Sequence, residues 1–189
     1  MLSDFSNRSA CPAVFLDRDG TIIEDHGCLS DPSQVEFFQD TVPALLRLQE
    51  KFQLFIVTNQ SGVALGMTTR EDVDRVNTFV AAQLAEAGVK IRETYVCPHA
   101  WADGCECIKP KPYFLNKAVK DHYVDLSASW AVGDHPHDVE FAGNNGARGI
   151  YVLTGHGTRH QGDLPEGTLV VAGIAEAVDI IMTANDEFK

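Results

Sequence analysis

Short β-prone runs, most of them rich in apolar residues, recur along this chain at 13–16, 54–58, 93–96, 130–132, 149–153 and 169–171. Several are apolar throughout, as in a strand covered on both faces, which has no polar side to show. Between the runs the spacing changes to a helical period. Val42-Pro43-Ala44-Leu45-Leu46-Arg47-Leu48 opens one helix, with the proline tolerated in its first turn. Thr68 and Glu71 are spaced as a capping box for a second helix, in which Val73, Val76, Phe79, Val80 and Leu84 form the buried stripe before Gly88 stops it. Further helices are expected near 113–121, 138–144 and 174–182. This alternation predicts an α/β fold: a doubly wound, mainly parallel sheet that binds its ligand beyond the carboxyl ends of the strands. Neither repeat nor linker interrupts it, so residues 1–189 read as one domain. Residues 155–167, rich in Gly, His and polar residues, read as a long loop, and the last few residues are expected to fray.

Composition narrows the picture. Hydrophobic residues make up 44% and charged residues 22%, the balance of an ordinary globular protein. The formal charge of −12, with no basic stripe, argues against a nucleic-acid surface, so an anionic substrate must be drawn in by a local cation. Residues 1–11 lack the apolar core of a signal peptide, and no segment approaches membrane-spanning length. Five cysteines, an odd number, then favour reduced thiols or metal ligation over disulfides, and a cytoplasmic setting.

The chemistry is concentrated where apolar runs end. Val14-Phe15-Leu16 delivers Asp17 and Asp19 onto a turn at Gly20, and alternation along a strand points both carboxylates to one side. Such a pair repels itself unless a cation lies between, so it marks a metal or acid/base site rather than a solvated turn. The run after the second strand, Thr58-Asn59-Gln60-Ser61-Gly62, offers hydroxyls, side-chain amides and backbone N–H groups suited to phosphate oxygens. Lys109, between Ile108 and Pro110, is a braced point charge. The run ending at Val132-Gly133 carries Asp134 and Asp138, which would complete an oxygen cage for Mg²⁺.

Taken in order, Asp17–Thr21 as D-x-D-G-T, the strand-end Thr58, the Lys109-Pro110 pair and Gly133–Asp138 as G-D-x-x-x-D resemble the haloacid dehalogenase (HAD) superfamily of phosphotransferases. The resemblance implies a Rossmann-like core that uses Mg²⁺. Asp17 would attack phosphorus to form an aspartyl-phosphate, and Asp19 would protonate the leaving oxygen and then activate water. Thr58 and Lys109 would steady the phosphoryl group. The metal would be held by Asp17, the carbonyl of Asp19, Asp134 and, through water, Asp138.

Cys97, His99, Cys105 and Cys107 supply three thiolates and an imidazole within one loop, 97–107. That is a complete tetrahedral set for a structural zinc. With Asp25-His26-Gly27 and the Thr58–Gly62 loop, it resembles the capless heptose bisphosphate phosphatases of lipopolysaccharide heptose synthesis; histidinol-phosphate phosphatases are close relatives. Hydrolysis of a small sugar phosphate is implied, by a monomer or weak oligomer with neither nucleic acid nor membrane as partner. Expected substrate contacts are Arg18, Asp25, His26, Gly27, Cys28, Asn59, Gln60, Ser61, Ile108 and His135.

Three positions depart from the pattern: Ile108 where the family has Arg, Cys28 where an aromatic is common, and His135 where Lys or Arg is expected. Ile108 cannot clamp a distal phosphate, so an arginine installed there is expected to improve use of a bisphosphorylated sugar, unless Lys111 or an Arg or His of 155–162 compensates. His122, His156 and His160 read as solvated residues, and Trp101 as either a cover for the zinc loop or a border of the substrate site. Two non-catalytic readings stand beside the enzyme: a zinc-stapled phospholigand-binding domain, and a receiver-type signalling domain phosphorylated on Asp17.

Overall fold

The apolar runs become the middle of a sheet. In the computed structural model, which describes residues 10–186, six strands lie in the order β3-β2-β1-β4-β5-β6. They are β1 (Ala13–Leu16), β2 (Gln53–Asn59), β3 (Ile91–Cys97), β4 (Trp130–Gly133), β5 (Arg148–Val152) and β6 (Leu169–Val171). Every neighbouring pair is parallel, so the mainly parallel sheet expected from the sequence is parallel throughout. The central strands β1 and β4 are buried at every position, which explains why their sequences carry no polar face.

Alternate strand residues feed two cores. Val14, Leu16, Leu54, Ile56 and Val132 meet one set of helices: α1 (Thr41–Leu48), α2 (Arg70–Glu86) and α6 (Ile174–Asp186). Phe15, Phe55, Val57 and Ala131 turn the other way, towards α3 (Tyr113–His122) and α4 (Pro136–Gly143). The period of two thus survives inside runs that look uniformly hydrophobic.

Two local expectations shift. The box that caps α2 is built one residue later, from Thr69 and Asp72: Thr69 Oγ1 accepts from the Asp72 N–H at 3.1 Å, and Asp72 Oδ2 accepts from the Thr69 N–H at 3.1 Å. Thr69 has the extended backbone an N-cap needs, whereas Thr68 is buried. The predicted loop at 155–167 contains a short helix, α5 (Gly157–His160), and a single turn at Gln161–Asp163. Gly157 anchors it: the Tyr151 hydroxyl donates to its carbonyl at 2.8 Å, and a β-carbon there would fall 2.0 Å from the Val152 carbonyl oxygen. The expectation of a frayed C-terminus falls on residues 187–189, and most of the segment at 1–11 likewise lies outside the described residues.

Register sets up the site. Leu16 pairs with Ile56 on one side and Val132 on the other, so β1 and β4 end side by side while β2 runs on to Asn59. The Asp17 N–H donates to the Val132 carbonyl at 2.9 Å, holding the first residue beyond β1 against the end of β4. This is where the chain order of the sheet reverses, the place at which an open α/β sheet leaves a crevice.

Candidate active site

A cleft of about 380 Å³ opens at this reversal. Asp17, Asp19, Asp134 and Asp138 line it from the ends of β1 and β4, with Lys109 from the segment before α3. Carboxylate oxygens of Asp17, Asp134 and Asp138 lie within 4.8 Å of one another, two of the three residues being buried. Lys109 sits among them: its Nζ is 2.5 Å from Asp17 Oδ1, 2.5 Å from Asp138 Oδ1 and 2.8 Å from the Val57 carbonyl. Three acceptors use all three protons of the ammonium.

The charges are unbalanced. Burial, opposed by Lys109 and reinforced by Asp138, Asp134 and Asp19, raises the Asp17 carboxyl well above its usual range. Burial likewise raises Asp134 to about 7, against the opposing pull of the His156 N–H, which donates to its Oδ2 at 2.7 Å. Lys109 moves up: burial disfavours its charge, but Asp138 and Asp17 outweigh that. Hard oxygen donors carrying more negative charge than one ammonium can neutralise are what a small divalent cation requires.

Small residues let these acids converge. A β-carbon on Gly20 would stand 2.1 Å from Asp134 Oδ2, and one on Gly133 would stand 2.2 Å from Asp138 Cγ. The Gly after the first acidic pair and the Gly before the second are therefore required by the neighbouring carboxylates.

Asp19 has a different setting. Both its oxygens accept from the Nε and Nη2 of Arg18, and Gln60 Nε2 donates to Oδ2 at 2.8 Å. Thr58 Oγ1 lies 3.5 Å from the same oxygen and is itself held by Gln60 at 2.7 Å. In this conformation the carboxylate is turned to Arg18.

Of the expected substrate contacts, Asp25, Gly27, Cys28, Asn59, Gln60, Ser61 and His135 line the cleft. His26 is exposed beside it without lining it. Arg18 is fully buried behind Asp19, with Nη1 donating to Asn77 Oδ1 at 2.7 Å. Ile108 is also buried, packed in the core beside Phe114 and away from the cleft. Lys111 donates to the carbonyls of Gly104 and Cys105 at 3.0 and 2.5 Å, so it supports the neighbouring loop and does not stand in for the missing arginine.

Gly62, of the Thr58–Gly62 run, and His156, one of the residues of 155–162 offered as a compensating anchor, also line the cleft, as does His137, which was not among the expected contacts. His156, read from the sequence as solvated, stands 3.4 Å from Asp25. Its position depends on the fold of 155–160, which local sequence pattern does not reveal. His137 had a signal: it lies between the two acids of the last motif. His122, also read as solvated, is only 14% exposed at its side chain and meets Glu93 at 2.7 Å. Burial, ahead of a neighbouring imidazole, lowers His135 to about 4, so its ring is neutral near pH 7.

Beside the cleft, Cys97, His99, Cys105 and Cys107 bring their ligand atoms within 4.8 Å of one another. Sulfur–sulfur separations are 3.6, 3.2 and 3.7 Å, and His99 Nδ1 lies 3.8 and 3.3 Å from Cys97 and Cys107. Bonds of roughly 2.0–2.3 Å in a tetrahedron give edges of about 3.3–3.8 Å, so the set fits a zinc ion. All three thiols are free of disulfides. Among the described residues, no helix is long and apolar enough to cross a membrane.

Known proteins resemble this chain in sequence and in fold. Residues 106–177 match the HAD-hydrolase-like family. The D-glycero-β-D-manno-heptose-1,7-bisphosphate 7-phosphatase of Yersinia pestis is 36% identical over 162 residues, which cover 80% of this chain and 86% of the relative. Its Escherichia coli K12 counterpart is also 36% identical, over 76% of this chain and 80% of the relative. The crystal structure of D,D-heptose 1,7-bisphosphate phosphatase from B. bronchiseptica, complexed with magnesium and phosphate, aligns with a TM-score of 0.83 at 30% identity, covering 92% of this chain and 99% of that one. These likenesses decide between the catalytic and the non-catalytic readings: the chain is a phosphomonoesterase of the HAD superfamily and belongs to the family of the heptose-1,7-bisphosphate 7-phosphatases.

Proposed function

We propose that the protein removes the 7-phosphate of D-glycero-β-D-manno-heptose 1,7-bisphosphate, in one capless domain, through a phosphorylated Asp17. The observation that carries this reading is the convergence of Asp17, Asp134 and Asp138 around Lys109 in an open cleft, with Asp19 alongside. The names of the relatives support the substrate.

In this reading Asp17 donates an electron pair from its free Oδ2 to phosphorus, and the bond to the sugar oxygen breaks. Lys109 holds Oδ1 and so fixes which oxygen faces the substrate. Asp19, rotated off Arg18 and protonated from solvent, gives that proton to the departing alkoxide and later takes one from the water that attacks the acyl phosphate, which returns it to the acid form. That second attack releases inorganic phosphate and restores the Asp17 carboxylate. Thr58 and the backbone N–H groups of the following loop donate to phosphoryl oxygens. Asp17, the Asp19 carbonyl, Asp134 and Asp138 would hold Mg²⁺, which when bound neutralises the acids and orients the phosphoryl group. Asp25, His26, Gly27, Cys28, Asn59, Gln60, Ser61 and His135 are proposed to contact the sugar.

Cys97, His99, Cys105 and Cys107 are proposed to hold a structural zinc, since four protein ligands leave no position for water. Reduced thiols of that kind support a cytoplasmic setting. The test is turnover on a panel of phosphometabolites with and without Mg²⁺. Preference for the heptose bisphosphate, lost without the cation, is the expected result; equal use of histidinol phosphate or of simple monophosphates would overturn the substrate.

A further inference from the structure

Trp101 is 62% exposed, yet its ring lies flat on that of His137, with centroids 5.1 Å apart and planes 8° from parallel. The two come from different elements. Trp101 starts a single turn at Trp101–Asp103 inside the cysteine-rich loop, between His99 and Cys105. His137 is the second residue of α4, immediately before Asp138, and it lines the cleft. His135 stands next to His137, at 4.5 Å between ring centroids and tilted by 43°. His137 therefore has two ring neighbours, of which the stacked one belongs to the loop proposed to carry zinc.

A bisphosphate brings a second anion, and the cleft offers little positive charge to meet it. Lys109, the one Lys or Arg side chain lining the cleft among the described residues, has its ammonium taken up by Asp17, Asp138 and the Val57 carbonyl. Arg18 is buried behind Asp19, and Ile108 faces the core. The remaining donors with nitrogen in an aromatic ring are histidines, and an imidazole has an N–H to give in either protonation state. An imidazole serves as an anchor only if its ring plane is fixed, because the N–H points within that plane. Stacking on a broad indole fixes the plane while leaving the ring edge open.

We propose that Trp101 is a positioning residue which, by stacking on His137, aims that imidazole at a second anionic group of the substrate, distal to the ester being cleaved. This rests on the phosphatase reading and names the residue pair through which that site would favour a bisphosphate over a monophosphate. It also links the metal loop to substrate choice, since the turn bearing Trp101 is flanked by His99 and Cys105.

The test uses the full chain loaded with Mg²⁺ and zinc, and compares kcat/KM on the heptose 1,7-bisphosphate with kcat/KM on p-nitrophenyl phosphate, which has no second anion. Trp101→Ala is expected to lower the ratio of the two about tenfold, mostly through KM for the bisphosphate, as for loss of a hydrogen bond to a charged group. Trp101→Phe, which can still stack, restores the ratio; Trp101→Ala added to His137→Ala lowers it no further. Zinc content is measured for each variant. A ratio within twofold of the wild type in Trp101→Ala, including the case where both activities fall together, overturns the inference and leaves the phosphatase reading standing. A wild-type protein inert on both substrates overturns the phosphatase reading itself and the inference with it.

Discussion

Arg18 holds the carboxylate of its own neighbour, Asp19, through Nε and Nη2 at 2.8–3.2 Å, from a position with no solvent exposure. The fork is braced by Asn77 on α2. Arg18 thus governs where Asp19 can point, and it does so from outside the cleft. Arg18→Met, which keeps much of the volume but no charge, leaves Asp19 and Asn77 without their partner. It is expected to cost about 3 kcal/mol, as removal of one member of a buried pair does. An unchanged urea midpoint would contradict this.

Asp17→Asn removes the attacking oxygen while keeping the shape of the side chain. Turnover is expected to fall at least about a thousandfold, as when a nucleophile is deleted. The metal-free protein should not lose stability, because Asp17 is held against burial and three neighbouring acids. Thermal melting in chelator checks the second half: a midpoint clearly below wild type would contradict it.

Ile108→Arg does not restore an anchor. The side chain at 108 lies in the core beside Phe114 and Leu115, so a guanidinium there would be buried without a partner. The expected outcome is destabilisation of about 3 kcal/mol or more and no fall in KM for a bisphosphate. A stable variant with improved kcat/KM would show that the backbone turns this residue to the cleft.

Cys107→Ser should lower bound zinc well below the about one equivalent per chain that a tetrahedral site predicts. The loop 97–107 should then become the first site of proteolysis. Unchanged zinc content would remove Cys107 from the ligand set.

The pH dependence of stability has a partly buried source away from the cleft. Glu93 is partly buried, which raises its pKa, but hydrogen bonds with His122 and Lys117 more than offset this and hold it below the usual 4.5. Its folded value is thus the lower one, so its contribution is present above about pH 4.5 and is lost as pH falls further. Glu93→Gln should be less stable than wild type at pH 7, with the gap closing in acid, as read from paired denaturation curves. A gap that widens in acid would reverse the sign.

What the sequence revealed tracks how local each determinant is. All six strands lie within two residues of the expected ends; the central ones, buried on both faces, announce themselves by composition. The acids were legible because each follows such a strand. Arg18 and Ile108 were placed at the substrate since sequence position fixes a neighbourhood and not a direction. Arg18 turns to Asn77, 59 positions away, and Ile108 into a core shared by the strands, α3 and α4. His156 was hidden for a related reason: its approach to Asp25 depends on Gly155, where a β-carbon would meet Asp134 at 2.3 Å. The cap of α2 was misplaced by one residue because adjacent threonines each had an acid three positions on.

The central claim is that the side chain at position 17 carries the phosphoryl group during turnover. Enzyme quenched in mid-reaction and reduced with borohydride converts an aspartyl-phosphate into homoserine, which peptide mass spectrometry locates. Homoserine at position 17, absent from Asp17→Asn, is the predicted result; sustained phosphate release with position 17 never modified would contradict the account.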